Sequence, residues 1–327
     1  MNKREFNEMI SDISSACRVS SADAKRVIIA YLEAIEHRTL SYHASSVHAS
    51  SGIITLDCIT GIRPGITCIY GHDSIGKTAV AKRIAAHSRN TYKFVLYYDA
   101  ENTLYCHDQK ELEGILLANA TAIQGIDDWL QSRLLDVAII DTITALQNQS
   151  AMLLYHKMKK AVPYIILVGQ MREWVNKPAP VPAIPQQLLG CAQMHLHLTS
   201  REKITIGGVD MLRVQWCIGK YEGDHTIENT RGSFIIRNGM VDNLYTAIDV
   251  LRSRGRMVSR GPLKMLGHTT LGSYRDIEAD MVLTETVLTA AWNELSKEPC
   301  HVEHYFDRPV QHVPTFGPGA RAGIATV

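Results

Sequence analysis

Along the 327-residue chain the spacing of apolar positions changes character several times. Val27, Ile28, Tyr31, Leu32 and Ile35 fall at i, i+1, i+4, i+5 and i+8. That spacing makes one apolar stripe on a helix, with Ser20 or Ser21 as its N-cap. The segment SYHASSVHASSG (41–52) is small and polar and reads as a linker. Beyond it come short runs rich in β-branched residues: ITCIY (66–70), KFVLYY (93–98), DVAIID (136–141) and YIILV (164–168). Each is almost continuously apolar, as strands buried on both faces are. Helical patterns lie between them at 78–88 and 151–162. Alternating β and α segments predict an α/β fold, a mostly parallel sheet flanked by helices. MHLHLTS, KITIGG, MLRVQWCIG and GSFIIRNG then alternate more regularly and predict antiparallel strands. NLYTAIDVLRSRG and residues 283–295 read as helices of a small α/β appendage, and Pro309, Pro314 and Pro318 mark an extended or disordered tail. The expected division is a helical region (1–45), a core (46–240), a small α/β domain (241–298) and a tail (299–327).

Hydrophobic residues make up 46% of the chain and charged residues 20%, with a formal net charge of +1. This is globular composition. It excludes a globally basic nucleic-acid coat and leaves room for a local basic groove. The seven cysteines are scattered, with no CxxC pair. That argues against a disulfide framework and for a reducing cytoplasm. The first residues, MNKREFNEMISDISS, lack the apolar core of a secretory signal, and no run of about 18 apolar residues suggests a membrane span.

Gly71-His72-Asp73-Ser74-Ile75-Gly76-Lys77-Thr78 matches G-x-x-x-x-G-K-[ST]. Average composition yields that pattern in roughly 1% of chains this long. Its position after an apolar strand and before a helix is the one its mechanism needs. The glycines let backbone N–H groups surround phosphate oxygens, and Lys77 offers a point charge to the β- and γ-phosphates of ATP. Thr78 offers a hydroxyl to Mg2+, and Asp141, closing the run VAII, is the matching strand-end acid. Hydrolysis also needs a group that orients or deprotonates water. The residue after Asp141 is Thr142, not an acid. FVLYYDAE instead supplies Asp99 and Glu101, and in a parallel sheet the end of that strand can lie next to the phosphate loop. Glu101 is the candidate base.

GITCIYGHDSIGKTAVAKRIA, YYDAENTL, VAIIDTITAL and ILVGQMRE, with the lead-in SSGIITLDCITGIRPG, resemble the RecA-type recombinase core in order and spacing. The resemblance runs from about residue 50 to residue 239, and more weakly through the C-terminal appendage. The order of helical region, ATPase core and small C-terminal domain is similar to bacterial RecA and phage UvsX-like proteins. The divergence and length suggest a version from a phage or another mobile element. The resemblance implies an ATP- and Mg2+-dependent, DNA-stimulated ATPase active in homologous recombination and DNA repair. Such a protein forms a helical filament on single-stranded DNA and pairs it with double-stranded DNA. Single-strand-binding or mediator proteins are further implied partners.

Carried over by position, the family gives Glu101 the catalytic role and Asp141 the strand-end acid. Gln170 becomes the γ-phosphate sensor leading into the second DNA loop, with Arg172 just after it at a position implied to touch DNA; apart from the family, the apolar Met171 or Val175 offers a wedge between bases and Lys177 adds positive charge. Lys220 becomes a lysine that reaches a neighbouring protomer's ATP, while Ile218 replaces its companion lysine. The first DNA loop is cut to about 147–151. Gly169 stands where the family has a polar side chain, and the second loop (176–187) is rich in proline, which stiffens it.

Lys157, Lys159, Lys160, Arg172 and Lys177 face only Glu173 within 147–190. Arg252, Arg254, Arg256, Arg260 and Lys264 form a second basic run without an acid. Such clusters suit sequence-independent, salt-sensitive phosphate contacts. Cys300, His301, His304 and His312 match no standard zinc spacing. His195 and His197 share one face of a strand, as on an exposed sheet or at a protomer contact. Two other readings share these motifs: a RecA-like accessory ATPase that exchanges no strands, and a ring-forming helicase motor.

Overall fold

The computed structural model describes residues 48–92, 94–102, 104, 112–118, 135–146, 162–172 and 180–297. The helical pattern near residue 27, the segment 147–161, Lys177 and the Cys/His tail lie outside these residues. The described residues all fall within the compact unit Ser46–Val302.

The strand that enters the GKT loop, β1 (Gly65–Gly71), is apolar because it is covered on both faces. It pairs in parallel with β5 (Tyr164–Arg172) on one side and β7 (Met194–Ile206) on the other. β4 (Val137–Asp141), β2 (Val95–Asp99) and β3 (Leu116–Ala118) extend the parallel part. β8 (Val209–Tyr221), β9 (Arg231–Arg237) and β10 (Met240–Asp242) extend the other edge in antiparallel fashion. The order is β10-β9-β8-β7-β1-β5-β4-β2-β3, and β6 (Val181–Pro182) hangs on the end of β5. This is the α/β sheet expected from the apolar runs.

Alternation along these strands separates two cores. Ile69, Tyr97, Ile139, Ile166 and Trp216 face the side covered by α2 (Lys77–Ser88), which buries Val80, Ala81, Ile84 and Ala85. Cys68, Tyr98, Ile140 and Leu167 face the other side, with Ile184 and with Leu188 of α3 (Gln186–Cys191). MHLHLTS and KITIGG, read separately above, form one continuous strand. Its middle residues, 199–203, are exposed and lose the apolar alternation while the backbone pairing continues. Gly207 and Gly208, both with positive φ, turn it into β8.

A third core gathers α1 (Ile54–Asp57) with α4 (Asn243–Ser253), α5 (Tyr274–Ala279) and α6 (Met281–Leu295). β11 (Met257–Arg260), β12 (Leu263–Leu266) and β13 (Thr269–Gly272) make a separate small sheet. Asp242 caps α4, the Ser273–Asp276 capping box opens α5, and Asp280 caps α6.

The SSG…LD lead-in folds around one carboxylate. Asp57 accepts hydrogen bonds from the hydroxyls of Ser50 (2.5 Å) and Ser51 (2.6 Å) and from the backbone N–H groups of Ser51 (2.6 Å) and Gly52 (3.0 Å). The Gly52 carbonyl then accepts from Arg83 of α2 (2.7 Å) and from Asn243 of α4 (2.8 Å). Burial pushes the Asp57 carboxyl up, and the hydrogen bonds from Ser50 and Ser51 oppose that shift. Among the described residues no helix is long and apolar enough to cross a membrane.

Candidate nucleotide site

Parallel strands collect ligands at their carboxyl ends, and here those ends carry the sequence-selected residues. Gly71 ends β1 in register with Gln170 of β5, and Asp99 of β2 is in register with Asp141 of β4. β5 and β4 stand between β2 and β1. The Glu101 side chain, beyond the end of β2, nevertheless reaches across both. It accepts hydrogen bonds from the Thr142 hydroxyl and, at 3.4 Å, from Gln170 Nε2.

Residues 71–78 curl between β1 and α2. Gly76 sits at φ 114° as the N-cap, where an added Cβ would come within 2.5 Å of Ile236. Ser74 also has positive φ. His72, Asp73 and Ser74 are exposed, and Ile75 is buried in the core shared with α2. No side chain caps α2. Its first-turn N–H groups, which have no partner within a helix, are therefore available to an anion. Lys77 is only 8% exposed, and its Nζ donates to the carbonyls of Gly71 (3.1 Å) and His72 (2.8 Å). Burial lowers its pKa, while Asp73, Asp141 and Glu101 hold its charge in place. A buried cation ringed by a glycine loop suits a polyphosphate.

Asp141 is 5% exposed and accepts hydrogen bonds from the hydroxyls of Tyr97 (2.7 Å) and Thr78. Burial pushes its carboxyl up, those hydroxyls pull it down, and the charges of Asp99 and Glu101 push it up again. A hydroxyl and a carboxylate that already touch are the oxygen donors Mg2+ takes beside phosphate. Among the described residues no cluster of three or more His, Cys, Asp or Glu suits another metal.

The remaining selected residues separate from this group. Lys220 donates to the Gly190 carbonyl (3.0 Å) and lies opposite His195, which is level with Cys68 rather than with the loop. Ile218 is 0% exposed, within the core shared with α2. Met171 and Arg172 continue β5 and pair with Pro182 and Val181, so part of the proline-rich loop is a strand. Gly169 has a reason in this fold: an added Cβ would lie 2.3 Å from Ile184 of that same loop.

The C-terminal basic run is divided between internal contacts and solvent. Arg254 donates to the Glu294 carbonyl, and Arg256 pairs with the Glu294 carboxylate at 3.1 Å. Lys264 is buried over the Tyr274 ring at 4.5 Å. Arg252 and Arg260 are exposed.

Two residues were missed by motif reading. Thr142 registered only as the absence of an acid, and Tyr97 looked like any strand residue; neither hydroxyl carries a spacing signal.

His195 and His197 do share a face, packed at 5.9 and 5.1 Å against Tyr70. Burial lowers the pKa of both, and also of His48 and His87. In the unfolded chain these imidazoles protonate near the usual value of about 6.5. The folded state binds those protons only at lower pH, so stability is lost as pH falls through about 6.5. The thermal midpoint is expected to drop between pH 7.5 and 5.5; a flat profile over that window would contradict the assignment.

Over 112 residues the chain is 29% identical to the plasmid RecA protein of Lactococcus lactis subsp. lactis. Over that stretch the chain is similar to RecA. The RecA match takes in 31% of this chain and spans about a third (33%) of that relative's length. No protein-family model matches. Among solved structures, the crystal structure of the RadB recombinase is similar at a TM-score of 0.45 and 18% identity, covering 59% of this chain and 97% of that one.

Proposed function

We propose that this chain is a DNA-dependent ATPase of the RecA type, which coats single-stranded DNA as a helical filament and exchanges strands with homologous duplex. The observation that supports it best is the gathering of Glu101, Thr142 and Gln170 beside the glycine loop that holds Lys77. In this reading Lys77 and the loop amides bind the triphosphate. Thr78 and Asp141 would hold Mg2+, which supplies positive charge against the phosphate oxygens. Glu101 takes a proton from water as the water oxygen bonds to the γ-phosphorus. The bond to the departing diphosphate breaks with its electron pair, leaving ADP and phosphate.

Lys220 is assigned to the neighbouring protomer's nucleotide, and its distance from its own loop along the sheet supports that role. A head-to-tail contact of this kind that does not close forms a filament. Gln170 responds to the γ-phosphate and passes the response along β5 to Met171 and Arg172, which contact DNA together with Lys177. In the C-terminal domain Arg252 and the half-exposed Arg256 guide duplex, Arg254 being turned toward Glu294. The burial of Ile218 favours a second reading, a RecA-like accessory ATPase that binds ATP and a partner recombinase without exchanging strands.

The test is ATP hydrolysis with and without single-stranded DNA across a salt titration. Strong stimulation that fades with salt is expected, since phosphate contacts release counterions. Hydrolysis indifferent to DNA would sink this reading. Strand-exchange assays separate it from the accessory one, and electron microscopy separates open helices from closed rings.

A further inference from the structure

Glu101 is exposed, lies beyond the end of its strand, and has three rotatable side-chain bonds. A base so placed needs something to hold it. Thr142 is 4% exposed, directly follows Asp141, and directs its hydroxyl at Glu101 Oε1. An ionised carboxylate only accepts, so the hydroxyl is the donor. A hydrogen bond to a charged acceptor is about twice as strong as a neutral one. Gln170 reaches the same oxygen at 3.4 Å, a longer contact from a longer side chain. Both donors converge on Oε1, and among the described residues Oε2 receives no hydrogen bond.

We propose that Thr142 is a positioning residue: its hydroxyl anchors Glu101 through Oε1 and presents Oε2 to the attacking water. The inference rests on the reading of Glu101 as the base. It also assigns a division of labour. Gln170 is free to leave Oε1 for the γ-phosphate, because the short, buried Thr142 keeps the carboxylate in place meanwhile.

The experiment measures steady-state ATP hydrolysis by the full chain at saturating single-stranded DNA. It compares wild type, Glu101→Gln, Thr142→Val, Thr142→Ser and the Glu101→Gln/Thr142→Val double variant. Valine keeps the shape of threonine and loses the hydroxyl. Thr142→Val is expected to lower kcat about 10-fold with KM for ATP held within about twofold, the signature of an interaction used in the transition state. Thr142→Ser should keep at least about half of the wild-type rate, because the hydroxyl remains. The double variant should be no slower than Glu101→Gln alone, since the hydroxyl acts only through that carboxylate. A near-wild-type rate in Glu101→Gln overturns the assignment of the base. An inactive Glu101→Gln beside a near-wild-type Thr142→Val overturns the role of Thr142 alone. Equal losses in the serine and valine variants overturn it as well. Should Thr142→Val not fold, Thr142→Ala replaces it under the same criteria.

Discussion

Lys77→Ala is expected to weaken nucleotide binding by at least about 100-fold, the scale of losing a buried charge partner, and to abolish measurable hydrolysis. Lys77 is nearly enclosed, and its amine is already out of bulk water, donating to the Gly71 and His72 carbonyls beside the Asp73 carboxylate. An arriving phosphate therefore gains a cation whose desolvation has largely been met by folding. Asp73, Asp141 and Glu101 keep that cation charged. Lys77→Arg should rescue little, because a planar guanidinium does not replace a compact ammonium in a closed loop. Titration with a fluorescent ATP analogue reads the affinity, and a melting curve checks that the variant folds. Unchanged affinity in a folded Lys77→Ala would mean that the triphosphate is held elsewhere.

Asp57→Ala should lower stability by on the order of 4 kcal/mol, because it strands buried hydroxyl and amide donors at once. For a chain of this size that corresponds to a fall of about 6 °C in melting temperature. The damage should spread beyond the lead-in, because the Gly52 carbonyl is tied to both Arg83 and Asn243. Asp57→Asn keeps one acceptor oxygen but turns an amide donor toward donors, so it should fall between wild type and alanine. A melting temperature within about 2 °C of wild type in Asp57→Ala would show that the lead-in is not held this way.

Much of the architecture was legible because each central strand is buried on both faces and therefore apolar throughout. The long hairpin was harder. Residues 199–203 are exposed and polar, and only backbone pairing carries the strand through them. The Glu101, Thr142 and Gln170 grouping was legible in its parts but not in its contacts. Strand order decides which ends meet, and nothing local to YYDAE says that two strands intervene before β1. The fit of Ile184 over Gly169 is a match of shapes between distant positions, and composition does not record it. The basic run at 252–264 shows a further limit. Its charges look alike in sequence, yet Lys264 lies over Tyr274 while Arg252 faces solvent.

The strand order also bears on how the chain is made. β1 is flanked by β5 and β7, both encoded well after it. The ribosome, adding about 5–20 residues per second, completes the first of these partners roughly 100 residues later. For several seconds Ile66, Cys68 and Ile69 have no strand beside them, and the helix that follows has only part of a sheet to cover. Distant pairing of this kind folds slowly. Newly made chains should therefore depend on a chaperone, or on a slow growth temperature, to reach the soluble fraction.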